Sequence, residues 1–326
     1  MAKIIVDTLG SDLGLSEIVR GAIEARDTDP TLELILVGPT SEIAPLVKGK
    51  PIQIVEASDT ITNLENPMVA IREKEKASIV VALNLLKSDP SIDGMVTAGS
   101  TGALICGAIL NLKKLSGAKL ALLATLIGKG GKPFTLVDCG ANIDSPASFL
   151  VSFAKMGSAY MQACFGIETP RIGLLSNGAE KTKGDARTKE AHKLLQEANL
   201  NFIGNVEASQ VLNDQCDCLV CDGFSGNLIL KNTEGTAKFI LASLLSKKAQ
   251  ATPVEQALLD EVISDLMSQF DYNGLGGAVL LGFDKVLIKG HGASNHTSIK
   301  NIIAQSTKMV QGDIINKMIK ELQSNN

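Results

Sequence analysis

Aromatic residues are scarce in this sequence, and tryptophan is absent. Only 3% of the 326 residues are aromatic, and 31 basic residues against 35 acidic ones give a net charge of −4. A nucleic-acid-binding surface needs basic grooves and aromatic rings on which bases can stack. The composition therefore argues against a nucleic-acid partner.

Long apolar runs are also lacking. No stretch of about eighteen apolar residues occurs, which argues against a membrane-spanning helix. The apolar run Ile4-Ile5-Val6 is too short for the core of a signal peptide, and no cleavage-site pattern follows it. We therefore expect a cytoplasmic protein.

The six cysteines show neither a disulfide framework nor a zinc-binding pattern. Three of them lie in the segment Cys216–Cys221, whose β-branched and apolar residues predict a strand. Successive side chains of a strand point to opposite faces, so Cys218 and Cys221 do not converge. No second ligand pair such as CxxC occurs elsewhere. Buried, reduced thiols are therefore predicted.

Apolar, β-rich runs alternate with helical patterns along most of the chain, which is typical of a mainly parallel sheet covered by helices. We predict an α/β fold with a doubly wound, mainly parallel sheet, in a single domain over residues 1–326. The predicted strands are 3–7, 33–38, 51–56, 92–97, 120–127, 133–138, 171–176, 201–206, 217–222 and 284–290. The predicted helices are 14–26, 68–88, 101–114, 146–165, 185–198, 225–248, 253–270 and 295–322. Because two long helices follow each other at 225–270, a helical hairpin is expected to project from the sheet.

Six predicted strands end in one kind of junction, in which Gly, Ser, Thr, Asn or Asp follows the strand, usually before a helix. In an open parallel sheet, such junctions gather at the carboxyl ends of the strands, where ligands bind. Glycine allows close approach of the backbone, and the N–H groups at a helix N-terminus favour an anion. The candidate binding residues at these junctions are Asp7, Gly10, Asp12, Gly99, Ser100, Thr101, Gly102, Asp138, Asn142, Asn177, Gly178, Glu180, Asp222, Gly223, Gly226, Ser294 and Asn295.

The junctions match neither common nucleotide-binding motif. GxxxxGK[ST] is absent and no full GxGxxG follows the first strand, so neither ATP nor a Rossmann-bound cofactor is expected. A small anion fits better, and Lys181, Lys183 and Lys289 can supply positive charge near the junctions. The four aspartates among the candidates are an alternative ligand set for a divalent metal, although as capping residues they need none.

The three histidines differ in their surroundings. His291 lies between two glycines at a strand end, and an imidazole titrates near neutral pH, so it is the best candidate for acid–base chemistry. His192 lies among charged residues in a helical pattern, which predicts a solvated helix face. His296 is predicted to support the start of a helix.

Segments along nearly the whole chain resemble the PlsX family in order and spacing. They are TAGSTGAL (97–104), LVDCGANIDSPASFLVSFAKMGSAY (136–160), NFIGNVEA (201–208), DGFSGNLILKNTEGTAK (222–238), GLGGAVLLGF (274–283) and IKGHGASN (288–295). The resemblance implies an enzyme that converts acyl-carrier-protein thioesters and inorganic phosphate to acyl phosphates for phospholipid synthesis, with no cofactor. It also implies a phosphotransacetylase-like and isocitrate-dehydrogenase-like fold, a homodimer and peripheral membrane contact. Lys183 occupies the family's lysine position, and the NFIGNVEA motif adds Asn205 to the binding set.

The first junction departs from the family pattern. The family's DAMGGDHAP appears here as DTLGSDLGL, so Ser11 replaces the second glycine and Leu13 replaces the histidine. This opening also resembles a PlsX-like subunit of the glycine reductase system, which makes acetyl phosphate from a protein-bound acetyl thioester. The acyl-chain length therefore stays open, as does a non-catalytic role in binding acyl carrier or lipid. An isocitrate-dehydrogenase-type oxidoreductase would share the architecture, but the chain shows no adenine-nucleotide signature.

The chemistry implied by the resemblance needs little beyond positioning. Phosphate is a nucleophile at neutral pH and a thioester is an activated acyl donor, so the site must align them and stabilise an oxyanion. Lys183 and Lys289 are predicted to bind phosphate or the oxyanion, together with backbone N–H groups at 99–102 and 223–226. The predicted catalytic residues are Lys183, Lys289, His291 and Asn227.

The predicted hairpin carries a broad apolar stripe. Four residues of its second helix recur at intervals of four, namely Leu258, Val262, Leu266 and Phe270. We expect this stripe to contribute to a dimer interface. The turn carries Lys247, Lys248 and Val254 and is a candidate for contact with an anionic membrane surface.

Overall fold

A computed structural model describes residues 1–269 and 276–324. The strands are β1 (Lys3–Asp7), β2 (Glu33–Gly38), β3 (Gln53–Glu56), β4 (Gly94–Thr97), β5 (Ala121–Ile127), β6 (Pro133–Val137), β7 (Ile172–Ser176), β8 (Phe202–Glu207), β9 (Cys218–Val220), β10 (Ala278–Leu281) and β11 (Val286–Lys289). The helices are α1 (Leu15–Thr28), α2 (Thr40–Leu46), α3 (Pro67–Glu73), α4 (Ser78–Ser88), α5 (Thr101–Asn111), α6 (Ala147–Phe165), α7 (Ala186–Glu197), α8 (Gly223–Lys248), α9 (Pro253–Gln269), α10 (His296–Gln311) and α11 (Ile314–Gln323).

All the described strands join one sheet in the order β3-β2-β1-β4-β11-β10-β5-β6-β9-β7-β8. The strands β1 to β4 and β11 are mutually parallel, and β6 to β9 form a second parallel block. Three antiparallel pairings, β11 with β10, β10 with β5 and β5 with β6, connect the blocks. An odd number of reversals makes the two blocks run in opposite directions.

This reversal corrects one prediction. The six junctions do not gather at one edge of the sheet, because β1, β4 and β11 end at one edge and β6, β7 and β9 end at the other. The predicted fold class is nevertheless confirmed, since each block is a parallel sheet with helices on both faces.

Alternating side chains divide the core between the two faces of the sheet. On β1, Ile4 and Val6 pack into the cluster covered by α1, α6, α10 and α11. Ile5 between them packs into the opposite cluster, which α3, α4 and α5 cover. Helices on both faces explain why the strands are apolar at consecutive positions.

The ten predicted strands are all present, with ends shifted by up to two residues. The strand β10 was missed because its four residues stand in a glycine-rich segment, and α2 was missed as well. The predicted helix 295–322 is two helices. The chain turns at Gly312, where a Cβ would lie 2.2 Å from the Ala163 carbonyl oxygen, and at Asp313, which has a φ of 57°. Predicted helix 68–88 is likewise divided between α3 and α4.

The long helices α8 and α9 form the expected hairpin, with the turn between Lys248 and Pro253. Lys248 makes an ion pair with Asp260 of α9. The end of the predicted stripe, Phe270, lies outside the described residues, as do residues 274 and 275 of the glycine-rich motif. Within the ranges 1–269 and 276–324, no helix combines the length and apolar character needed to cross a bilayer.

Candidate active site

A cavity of about 750 Å³ opens where the two blocks of the sheet meet. It lies over β5 and β10 and receives loops from both blocks. The sequence-predicted site residues that line it are Asp12, Gly99, Thr101, Gly223, Asn227, Lys289 and His291. The structure therefore brings together candidates from the junctions of β1, β4, β9 and β11.

Lys289 is the most buried cation of this cavity. It ends β11 beside Thr97 of β4, which in turn pairs with Asp7 of β1. The Lys289 Nζ atom donates to the carbonyl oxygen of Ala98 at 3.0 Å and to that of Gly290. Burial lowers the pKa of Lys289 to about 8, although Asp12 and Asp7 oppose the shift. An ammonium has three N–H donors, so one remains for an anion in the cavity.

Asp7 does not line the cavity, but it supports the β4–α5 junction beside it through hydrogen bonds. Its carboxylate accepts a hydrogen bond from the Thr97 hydroxyl at 2.7 Å, and the same Thr97 oxygen accepts from the backbone N–H of Gly99 at 2.9 Å. Burial raises the pKa of Asp7. This chain of hydrogen bonds fixes the junction that leads into α5.

The N-terminus of α5 offers donors to the cavity. The Ser100 hydroxyl caps the helix by accepting from the Ala103 N–H at 3.4 Å. Within the described part of the chain, the N–H groups of Thr101 and Gly102 have no hydrogen-bond partner. Together with the nearby ammonium of Lys289, such donors form a site for an anion.

The N-terminus of α8 is used differently. Asp222 accepts from the N–H groups of Phe224 and Ser225 at 3.1 and 3.0 Å, and Arg187 pairs with its second oxygen at 2.9 Å. Gly223 donates its N–H to the Asn142 carbonyl. The predicted anion site at 223–226 is therefore already occupied by protein groups. Asn227, one turn along the helix, does line the cavity.

His291 stands at the cavity with an exposed ring. Its Nδ1 atom accepts from the backbone N–H of Ala293 at 3.1 Å. This contact places the proton of the neutral ring on Nε2, from which it can be donated to a bound group. The candidates Ser294 and Asn295 are not part of the cavity lining. Asn295 caps α10, and the Ser294 hydroxyl is buried with no hydrogen-bond partner in the described part of the chain.

Asp138 has a structural environment. Its two carboxylate oxygens accept five hydrogen bonds of 2.7 to 3.0 Å. The donors are the N–H groups of Leu122, Gly140, Ala141 and Asn142 and the side-chain amide of Asn142. The Asn142 amide also donates to the carbonyl oxygen of Leu120. Both predicted binding residues therefore hold the loop after β6, through the Asp138 carboxylate and the Asn142 side-chain N–H₂ group.

Two predicted binding glycines are explained by close packing of loops. Gly10 has a φ of +83°, and a Cβ there would lie 2.8 Å from the Gly99 Cα atom. A Cβ on Gly226 would lie 1.9 Å from the Asp138 carbonyl oxygen. These glycines bring neighbouring junctions together.

The loop after β7 lies apart from the cavity. Among the described residues, the cavity lining includes none of the predicted set Asn177, Gly178, Glu180, Lys183 and Asn205. The Asn177 side chain accepts from the Gly184 N–H, and the Asn205 amide donates to the Glu180 carbonyl. A catalytic role for Lys183 stays a prediction.

The placement of His192 corrects the prediction of a solvated helix face. Its ring is buried, shares a 2.9 Å hydrogen bond with the Asn205 side chain and packs edge-on against Phe202. His296 supports the start of α10 as predicted. Its ring and its backbone N–H both contact the Glu17 carboxylate of α1.

Sequence reasoning missed a polar face of α8. Lys231, Glu234 and Lys238 line the cavity beside Asn227, and Lys231 pairs with Glu234 at 2.9 Å. The signal was present, because these four residues recur at helical spacing in DGFSGNLILKNTEGTAK. The apolar wall from β5 was also missed, since a strand with apolar residues throughout does not show which of them face a cavity.

Comparison with known proteins decides the family. A family model described as fatty acid synthesis protein, the PlsX family, matches residues 2–317. The chain belongs to the PlsX family. Members similar to it include a phosphate acyltransferase of Clostridium acetobutylicum, 38% identical over 330 residues that cover 99% of each chain. A phosphate acyltransferase of Thermoanaerobacter pseudethanolicus is 37% identical over 326 residues, covering 99% of this chain and 98% of that one.

Solved structures show that this PlsX-family chain shares its fold with related proteins. A phosphotransacetylase from Streptococcus pyogenes aligns with a TM-score of 0.64 and 19% identity, covering 95% of this chain and 94% of that one. A branched-chain phosphotransacylase from Enterococcus faecalis aligns with a TM-score of 0.59 and 15% identity, covering 94% and 99%. At these identities the likeness concerns the fold alone, and it confirms the phosphotransacetylase-like architecture.

Proposed function

We propose that this chain is a phosphate acyltransferase that moves a fatty acyl group from an acyl-carrier-protein thioester to inorganic phosphate, giving an acyl phosphate for phospholipid synthesis. The reaction is supported by relatives that are named phosphate acyltransferase and are similar to this chain over nearly its full length. The observation that carries the proposal is the anion site, in which Lys289 and Thr101 at the N-terminus of α5 line the same cavity and the Thr101 N–H has no hydrogen-bond partner among the described residues.

In the proposed reaction, phosphate binds between Lys289 and the N-terminus of α5. One phosphate oxygen attacks the thioester carbonyl carbon, and the Asn227 amide stabilises the resulting oxyanion from the opposite side of the cavity. As the C–S bond breaks, its electron pair passes to sulfur and His291 donates its Nε2 proton to the thiolate. The proton of the attacking hydrogen phosphate then restores the imidazole, so the products are an acyl phosphate and a free thiol.

The reaction is expected to need phosphate but neither ATP nor added metal. Release of carrier-protein thiol from a palmitoyl thioester should depend on phosphate, and hydroxylamine should trap the product as a hydroxamate. A matched reaction in which sulfate replaces phosphate controls for ionic strength. Release of free fatty acid at the same rate without phosphate would contradict the proposal, because the enzyme would then be a hydrolase.

The hairpin of α8 and α9 is proposed to form part of a homodimer interface. Apolar side chains of the pair are exposed in the single chain, namely Phe239, Leu245, Val254, Leu258, Val262 and Met267. A hairpin that leaves the sheet cannot bury such a face by itself, whereas a second copy related by two-fold symmetry can. Its turn, with Lys247, Lys248 and Val254, would then remain free to contact an anionic lipid surface.

Two substitutions on the hairpin should separate these roles. Leu258 is 61% exposed, so Leu258→Asp should leave the monomer folded but break the dimer, because it would bury a charge in the interface. Val254 is 74% exposed beside the turn, so Val254→Asp should keep the dimer and weaken binding to anionic vesicles. Light scattering at micromolar concentration and vesicle sedimentation are the measurements. A monomeric wild type would reject the interface, and unchanged vesicle binding of Val254→Asp would reject the lipid contact.

A further inference from the structure

The floor of the cavity changes from charged to small and apolar along a single row of the sheet. Lys289 of β11 pairs with Ala278 of β10. In the register of β10 with β5, Val279 pairs with Leu123, so Ala124 stands next to Ala278 in the same row. Paired residues on neighbouring strands point to the same face, and Lys289, Ala278 and Ala124 all line the cavity. Each step along this row is about 4.8 Å, the spacing of neighbouring strands.

Larger apolar side chains border the two alanines. Leu122 and Leu126 stand two positions before and after Ala124 on β5 and therefore share its face. Leu136 of β6 pairs with Ala124 and has a fully buried side chain outside the cavity lining. Leu230 of α8 also lines the cavity. The alanines thus leave an apolar trough, which larger residues at these two positions would fill.

We propose that this trough binds the acyl chain of the substrate and that Ala124 and Ala278 determine the longest chain accepted. The inference rests on the proposed function, because a thioester carbonyl beside Lys289 must direct its chain away from the anion site. Asp12 and His291 stand on the polar side of that site. The row over Ala278 and Ala124 is apolar, and apolar surface gains free energy when it leaves water.

The position of each alanine predicts a graded effect on chain length. Ala124→Leu places bulk two strands from Lys289, so kcat/KM should fall about tenfold or more for palmitoyl relative to butyryl thioesters of the carrier protein. Ala278→Leu places bulk one strand away and should also penalise octanoyl thioesters. The measurement is kcat/KM for butyryl, octanoyl and palmitoyl thioesters at saturating phosphate.

A matched pair on α8 tests the same inference without overfilling the core. Leu230 lines the cavity, whereas Leu228 lies on the same helix and lines a different groove. Leu230→Ala should lower kcat/KM for palmitoyl more than for butyryl thioesters, while Leu228→Ala should leave their ratio unchanged. An equal loss at every chain length in Ala124→Leu and Leu230→Ala would overturn the trough while leaving the acyl transfer intact. A wild type that transfers no acyl chain to phosphate would instead overturn the proposed function, and the trough with it.

Discussion

Replacing Lys289 by alanine should lower the rate of acyl transfer to phosphate about 10²- to 10³-fold, the usual cost of removing one preorganised charge or donor from an oxyanion site. The ammonium is partly buried, donates to the Ala98 and Gly290 carbonyls and lines the same cavity as Thr101 of α5, whose N–H has no hydrogen-bond partner within the described ranges. Water cannot replace it with the same geometry. Steady-state kinetics over a range of phosphate concentrations should show a raised KM for phosphate and a lowered kcat.

Lys285 provides a matched control at the other end of the same strand. It also donates to backbone carbonyls, those of Pro90 and Ile92, but lies outside the cavity lining. Lys285→Ala should therefore retain wild-type kinetics. Lys183→Ala should be measured in the same series. A loss of activity comparable to that of Lys289→Ala would show that the loop after β7 takes part in the reaction. Wild-type kinetics for Lys289→Ala would rule out the proposed anion site.

The charge of Lys289 also gives the reaction a pH dependence. Because burial lowers the pKa of Lys289 to about 8, the ammonium is present below that pH and is lost above it. The KM for phosphate should therefore rise as the pH increases through about 8. A guanidinium stays charged throughout this range, so Lys289→Arg should flatten the dependence even if its activity is lower.

Replacing Asp138 by alanine should destabilise the fold, in contrast to the ligand-binding role that the sequence predicts. Five donors would lose a buried carboxylate partner. Hydrogen bonds to charged groups contribute roughly 1.5–3 kcal/mol each, and some donors would find water, so we expect a loss of at least about 3 kcal/mol in the free energy of unfolding. Equilibrium unfolding in urea measures this quantity.

Asp144 supplies the control for this experiment. It follows Asn142 on the same loop, its side chain is fully exposed, and its pairing with Arg187 is long, at 3.6 Å. Asp144→Ala should leave the free energy of unfolding nearly unchanged. If Asp138→Ala kept wild-type stability and lost only affinity for phosphate, Asp138 would be a substrate ligand as first predicted.

The sequence predicts most strands and helices correctly because short apolar runs alternate with helical patterns and the junctions between them carry clear capping residues. It does not reveal the direction of the strands. The β5 segment is apolar at nearly every position and would fit a parallel or an antiparallel neighbour equally well, and β10 spans only four residues, Ala278–Leu281. The prediction that all six junctions meet at one edge failed for this reason.

The predicted residues agree with the observed cavity lining where a side chain faces the cavity and differ from it where a polar residue holds a loop. Lys289, His291 and Asn227 do line the cavity. Asp138 and Asp222 have the same sequence context as a ligand-binding aspartate, yet their oxygens accept hydrogen bonds from neighbouring N–H groups. A capping carboxylate and a ligand-binding carboxylate look alike in one sequence, because the difference depends on donors that only the fold brings near.

Transfer of isotopically labelled phosphate would show whether the enzyme forms an acyl phosphate at the Lys289 site. The wild type, Lys289→Ala and Lys285→Ala should each be incubated with palmitoyl acyl-carrier protein and labelled inorganic phosphate, without ATP. We expect label in palmitoyl phosphate for the wild type and Lys285→Ala. Lys289→Ala should yield at least tenfold less label, since the loss of one preorganised donor typically costs about 10²–10³ in rate. Consumption of the thioester by the wild type with no label in any acyl product would contradict the proposed reaction.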